Sequence, residues 1–509
     1  MEAVARATNK AEFGDFQTPI GLATAVAARV RTSGFTPASI IEPTCGVGNM
    51  LVAAADEFPA FQRAIGVEIQ PAYLAQLRSR LESRGDIHRI ETTAASFFVY
   101  DWRATLEALP DPLLVIGNPP WVTNSDLSSM GSQNFPAKTN FQGHSGLDAL
   151  TGKSNFDISE AILLKILDWL KNRDAMLAIL CKTAVARKVL AHAWKHQIRI
   201  GIPSIWRIDS ANSFGAAVDA CVFECRFGGR AELAACPVYP SMLARTAETT
   251  IAYRAGRMLS DVDQFNRWSH LEGKEIYRWR SGIKHDCAEV VELRLSGDTL
   301  RKKSGEIADI EKEFVFPMLK ASDLANDRGK ASVRWMLVTQ RGVGEETRHI
   351  ALTAPKTWSY LTRHSQQFGK RASVIYRDRP AFSMFGVGEY SFAPWKVGIA
   401  GLYKKLQFTV IAPRMGKPVV LDDTCYFIGC QSEQEAIFIA SLLNSTPARE
   451  FYSAFVFWDS KRPITIDLLR RLDLRNTAAE LGISAEFERL VSTESKGKSA
   501  PISGLLWPE

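Results

Sequence analysis

A chain of 509 residues is too long for one ordinary core and sufficient for two or three domains. With 46% apolar and 23% charged residues it reads as a folded globular protein, which excludes a disordered chain, and a formal charge of +7 permits a polyanionic partner without demanding one. The eight cysteines include no C-x-x-C pair, which excludes a zinc knuckle, so no metal site is expected; with no signal core and no stretch of membrane-spanning length, the reading is a cytoplasmic protein with no membrane partner.

In chain order, the first predicted element is a helix starting at Thr18-Pro19, with Thr18 as its cap and Pro19 in its first turn, and ending at Gly34. Strand-like runs follow at Ser39–Glu42, Ala64–Ile69, His88–Thr92 and Leu113–Gly117. Residues 122–155 are polar and rich in Gly, Ser and Asn, a loop long enough to imply function. An amphipathic helix over Phe156–Lys171 leads to strands at Met176–Cys181, Ser204–Asp209 and Cys221–Arg226, a sheet of about seven strands. Near Gly228–Pro240 the βα alternation gives way to interleaved aromatic and basic residues, which predicts a catalytic domain over 1–235, a second domain over 236–490 and a loose tail over 491–509.

The segment Glu42-Pro43-Thr44-Cys45-Gly46-Val47-Gly48 follows the first strand and opens an apolar helix. Gly46 and Gly48 allow a tight turn and close approach of backbone to a ligand. The third glycine of the dinucleotide fingerprint is missing, as is the Lys-Ser/Thr of a phosphate loop. About 20 residues on, the next strand ends in Glu68-Ile69, where an acid can bind ribose hydroxyls of an adenosine-containing cofactor.

The sharpest signal is Asn118-Pro119-Pro120-Trp121, directly after an apolar strand and so at the edge where α/β folds place their chemistry. An aromatic exocyclic amine is a poor nucleophile because its lone pair is delocalised. The Asn118 carboxamide oxygen and the Pro119 carbonyl can accept both of its N–H groups and direct the lone pair at an electrophilic methyl group. Tandem prolines fix the carbonyls rigidly, and Trp121 offers a face for an extruded base. Because the methylated amine can release its proton to water, no strong general base is required.

These residues resemble the amino-methylating DNA methyltransferases, specifically the gamma-type N6-adenine group, over roughly 13–227. The resemblance implies a Rossmann-like core using S-adenosylmethionine, a C-terminal DNA target-recognition domain, and double-stranded DNA as partner, with a separate cognate restriction endonuclease as a further one. By position, 13–19 resembles the motif whose Thr18-Pro19 lies against the methionine part of the cofactor. Glu42, Pro43, Gly46 and Gly48 match the glycine motif, and Glu68 with Ile69 the ribose site. Where the family has Asp-Phe, against the cofactor's adenine, this chain has Ser96-Phe97, with Asp101 nearby. Phe156 falls where an aromatic packs on that adenine, and Asn118 closes the cofactor site. Trp121 and Phe214 fall where the family holds the flipped target base.

In the second half, Arg278, Arg280, Lys284, Arg377, Lys404, Lys405, Arg414 and Lys417 stand beside aromatics or in short basic clusters, a pattern suited to gripping phosphates and bases. Alternatives are N4-cytosine methylation, which typically shows Ser in place of Asn118, and RNA or protein amino-methylation. No Pro-Cys loop is present for a C5-cytosine thiolate.

Overall fold

The computed structural model describes residues 17–122, 157–201, 203–215, 218–229, 234–326 and 334–497. The expectations for 13–16, for the polar segment at 123–155, for Phe156 and for the tail from 498 lie outside the described residues.

Apolar runs of four to eight residues form the predicted strands: β1 (Ser39–Glu42), β2 (Arg63–Glu68), β3 (Ile90–Ala94), β4 (Leu113–Gly117), β5 (Ala175–Lys182), β6 (Ser204–Ile208) and β7 (Ala220–Phe227). They lie side by side as β3-β2-β1-β4-β5-β7-β6, with β7 antiparallel to both of its neighbours and the other pairs parallel. This is the Rossmann-like α/β core that the sequence predicts. The sheet does not stop there. Among the described residues β8 (Ala235–Tyr239), β9 (Thr249–Arg254) and β10 (Arg257–Leu259) carry it to ten strands. β8 pairs parallel to β6, and Tyr239 stacks on Trp206 at 3.7 Å and 3°. The compact unit containing this sheet runs to Val262.

The helices between the strands are α1 (Ile20–Thr32), α2 (Asn49–Glu57), α3 (Pro71–Leu81), α4 (Trp102–Glu107), α5 (Ile158–Leu170), α6 (Thr183–Lys195) and α7 (Ser210–Phe214). α1 begins one residue later than expected. Its first helical bond, from the Ala23 N–H, ends on the Pro19 carbonyl at 3.0 Å, so Pro19 is the cap and the Thr18 side chain is not. Val26 and Val30 of α1 and Met50 and Leu51 of α2 share one core with Ile40, Leu114, Ile116 and Leu180. The alternate strand residues Ile41, Val115, Leu177 and Ile179 are buried as well, so both faces of the sheet are covered at its centre, along β1, β4 and β5.

From β1 the chain winds outward through β2 and β3, then returns to β4 on the other side of β1. That reversal opens a crevice beyond the carboxyl ends of β1 and β4, the place where open α/β sheets bind ligands.

The second compact unit starts at Asp263. Its five-stranded sheet has the order β13-β12-β15-β14-β18: Thr299–Lys302, Glu292–Ser296, Arg334–Leu337, Val315–Leu319 and Val420–Leu421. A four-stranded sheet, β11-β19-β16-β17, joins Arg280–Ser281, Cys425–Cys430, Trp395–Ala400 and Thr409–Ile411. Helices at Glu433–Asn444 and Thr446–Ser453 share a core with Val397, Ile399 and Ile428 of that second sheet. Among the described residues no helix is long and apolar enough to cross a membrane.

Candidate active site

At the crevice lies a pocket open to solvent. Its wall includes Thr18, Glu42, Pro43, Gly46, Glu68, Ile69, Phe97, Asn118 and Pro120, all of them singled out in the sequence. Pro19, Gly48, Ser96, Pro119 and Trp121 are not in its lining.

Backbone geometry explains the glycines. Gly46 and Gly48 have φ of +52° and +77°, the left-handed region that side chains disfavour. A Cβ on Gly46 would meet Gln17 Oε1 at 2.5 Å, and one on Gly48 would meet Leu77 Cδ1 at 2.2 Å. The turn is held from several sides. The Val47 N–H donates to Gln17 Oε1 at 3.1 Å, and Asn49 Nδ2 donates to the Thr18 carbonyl at 2.7 Å. Gly48→Ala is expected to lower stability by about 2 kcal/mol, from its backbone strain and the displacement of buried Leu77. An unchanged Tm in thermal unfolding would contradict this.

Two buried carboxylates face the turn. Glu68, at the end of β2, accepts from the Gly46 and Gln70 N–H groups, each at 2.7 Å. Glu42, at the end of β1, accepts from the Leu51 N–H in the first turn of α2 at 2.7 Å. Burial pushes the Glu42 carboxyl well above the usual carboxylate range; the Leu51 hydrogen bond opposes this, and the charge of Glu68 adds to it. Burial also raises the Cys45 thiol, so the pocket's cysteine is a thiol and not a thiolate nucleophile.

Gln17, Asn49, Tyr73, Phe98, Ile158 and Ile162 also line the pocket and were not assigned to it from the sequence. The Phe97-Phe98 doublet was the available signal for Phe98; its ring meets Phe97 edge-on at 5.2 Å. Asp101 is engaged elsewhere, since its Oδ1 caps α4 by accepting from the Ala104 N–H at 3.2 Å.

Beside the pocket, Trp121 is buried and packs edge-on against Phe214, with ring centroids 5.2 Å apart. Phe214 ends α7, which Asp209 caps and Gly215, at φ +64°, terminates. The backbone after Trp121 is tied down twice. Lys182 Nζ, from the last residue of β5, donates to the Trp121 carbonyl at 3.2 Å, and the Ile158 N–H donates to the Val122 carbonyl at 2.9 Å. Lys182 also pairs with Asp157 at 2.6 Å.

The cations of the second unit divide into two kinds. Arg278, Arg377, Lys404 and Lys405 are exposed. Lys284 pairs with Asp286 at 2.8 Å, and Arg280 lies over Tyr390 at 4.2 Å. Lys417, which pairs with Arg414 in a tight turn, donates to the Lys312 and Val315 carbonyls, the second at 3.0 Å.

A ligand crevice at the β1/β4 reversal, on a sheet of this order, is the architecture of a Rossmann-like methyltransferase, and its methyl donor is S-adenosylmethionine. No protein-family model matches the chain. The type II methyltransferase M.NspV of a Nostoc species is 42% identical over 470 residues, which cover 91% of this chain and 97% of that one. The type II methyltransferase M.XamI of Xanthomonas campestris pv. amaranthicola is 34% identical over 93 residues, 18% of this chain and 16% of its own. Among solved structures, the type IIL restriction-modification enzyme MmeI, determined in complex with DNA, shares the fold with a TM-score of 0.54 at 14% identity, over 98% of this chain and 70% of its own. The chain belongs to the type II methyltransferases, DNA methyltransferases of the restriction–modification type.

Proposed function

We propose that this chain is a cytoplasmic, site-specific enzyme that methylates the N6 amine of an adenine flipped out of double-stranded DNA, alongside a separate endonuclease that cuts the same site. The observation that carries the reading is Asn118-Pro119-Pro120-Trp121 at the carboxyl end of β4, with Asn118 and Pro120 in the pocket wall and Trp121 against Phe214.

The pocket's residues suit the cofactor. Glu68 takes the ribose hydroxyls, Thr18 and Pro19 flank the methionine part, and Phe97 with Phe98 packs on the adenine. Glu68 offsets its positive charge. When bound, S-adenosylmethionine supplies an electrophilic methyl group. The Asn118 carboxamide oxygen and the Pro119 carbonyl accept the two amine hydrogens, so the nitrogen lone pair is directed at the methyl carbon and not into the ring. With the methyl donor bound, the amine held by Asn118 and Pro119 would take the methyl group, the sulfur would keep the bonding pair, and the surplus proton would leave to water. Trp121 and Phe214 hold the base; such stacking contributes roughly 1–3 kcal/mol against a flipping cost of a few kcal/mol.

The second unit is assigned to target recognition, with Arg278, Arg377, Lys404 and Lys405 on the phosphates. Lys404→Ala with Lys405→Ala is expected to weaken binding to all DNA sequences alike and to reduce the salt slope by about 1 for each lysine removed. Lys417→Ala is expected instead to lower Tm, because its ammonium holds two backbone carbonyls. Binding isotherms at several salt concentrations, with thermal unfolding beside them, separate the two. The base reading itself is tested by which nucleoside gains the methyl group: N6-methyladenine supports it and N4-methylcytosine overturns it.

A further inference from the structure

The Asn118–Trp121 segment can present its groups to substrate only if its own backbone is held. Behind it, Lys182 reaches from β5, the neighbour of β4 in the sheet, and donates to the Trp121 carbonyl at 3.2 Å. The same ammonium pairs at 2.6 Å with Asp157, whose side chain is 8% exposed. Asp157 in turn caps α5, its Oδ1 accepting from the Ser159 N–H at 3.1 Å and the Ser159 hydroxyl at 2.5 Å. The next residues of that helix, Ile158 and Ile162, line the cofactor pocket. One cation thus joins the carbonyl beside the base-holding indole to the helix that walls the cofactor.

We propose that Lys182 is a positioning residue for methyl transfer: it fixes the Trp121 backbone, and through Asp157 it sets the base pocket and the cofactor pocket in one register. The assignment rests on the amino-methyl-transfer reading above. In-line transfer is sensitive to such registration, since a displacement of about 1 Å costs on the order of 100-fold in rate. Lys182 touches no reacting atom in this scheme. It acts through the main chain of the residue that holds the base.

The test uses the full chain with Lys182→Met, which keeps the stem and removes the donor, and Lys182→Arg, which restores a cation able to span both oxygens. Three quantities are measured: the Kd for S-adenosylmethionine by calorimetry, kcat and KM on unmethylated plasmid DNA with labelled cofactor, and Tm. Lys182→Met is expected to lower kcat about 10- to 100-fold while the cofactor Kd and the KM for DNA stay within about twofold, and Lys182→Arg to recover most of kcat. Retention of kcat within about twofold in Lys182→Met overturns the assignment. So does a parallel loss of kcat, cofactor binding and Tm in both variants, which marks a merely structural cation. A wild type that labels no DNA amine overturns the transfer reading and this assignment with it. An active wild type beside a fully active Lys182→Met overturns the assignment alone.

Discussion

Asn118→Ala is expected to bind S-adenosylmethionine and DNA as the wild type does and to lose methyl transfer by roughly 100- to 1000-fold, the scale seen when one preorganised polar group is taken from a transition state. Asn118 follows the last residue of β4 and lines the pocket, so its carboxamide is carried by a strand buried throughout. Removing it leaves that strand and Pro119 in place. The loss therefore falls on kcat, with little change in either binding constant, because the amine's hydrogens meet their acceptors fully only as the nitrogen becomes tetrahedral. Single-turnover transfer with saturating cofactor and DNA measures it; a variant within about tenfold of wild type would remove Asn118 from the mechanism.

Glu68→Ala should act on the other half of the site. Its carboxylate holds the Gly46 and Gln70 N–H groups, so truncation loosens the glycine turn and deletes the acceptor proposed for the ribose hydroxyls. A charge-assisted hydrogen bond of about 1.5–3 kcal/mol corresponds to roughly 10- to 100-fold in cofactor Kd. A fall in Tm is also expected, because the buried Gly46 amide and the part-buried Gln70 amide lose their acceptor, so calorimetry must be run where the variant is folded. An unchanged Kd in folded Glu68→Ala would contradict the ribose assignment.

Much of the core was legible because its signals are local. β1 and β4 are fully buried runs, Ser39–Glu42 and Leu113–Gly117, and both appear at the residues where the sequence places them. The two glycines announce a turn that only positive φ can close. What escaped the sequence depends on contacts between distant segments. β8–β10 are short, carry Pro237 and show no clean alternation; pairing with the edge of β6 is what makes them strands. Gln17 matters because it sits where the missing Cβ of Gly46 would be. Basic residues in the second half look alike in sequence, yet Lys404 is exposed while Lys417 is bound to main-chain carbonyls. Asp101, an acid near the expected adenine contact, is a helix cap. Lys182 carried no motif at all, and its place beside Trp121 follows from the β4–β5 pairing.

The N6 amine of adenine in DNA is the proposed acceptor of the methyl group. The most direct measurement incubates the purified chain with unmethylated double-stranded DNA and isotopically labelled S-adenosylmethionine, digests the product to nucleosides, and identifies the labelled species by mass spectrometry. Labelled N6-methyladenine, formed roughly 100- to 1000-fold more slowly with Asn118→Ala, is the predicted result. Label in N4-methylcytosine, or none in DNA while the cofactor is bound, would contradict it.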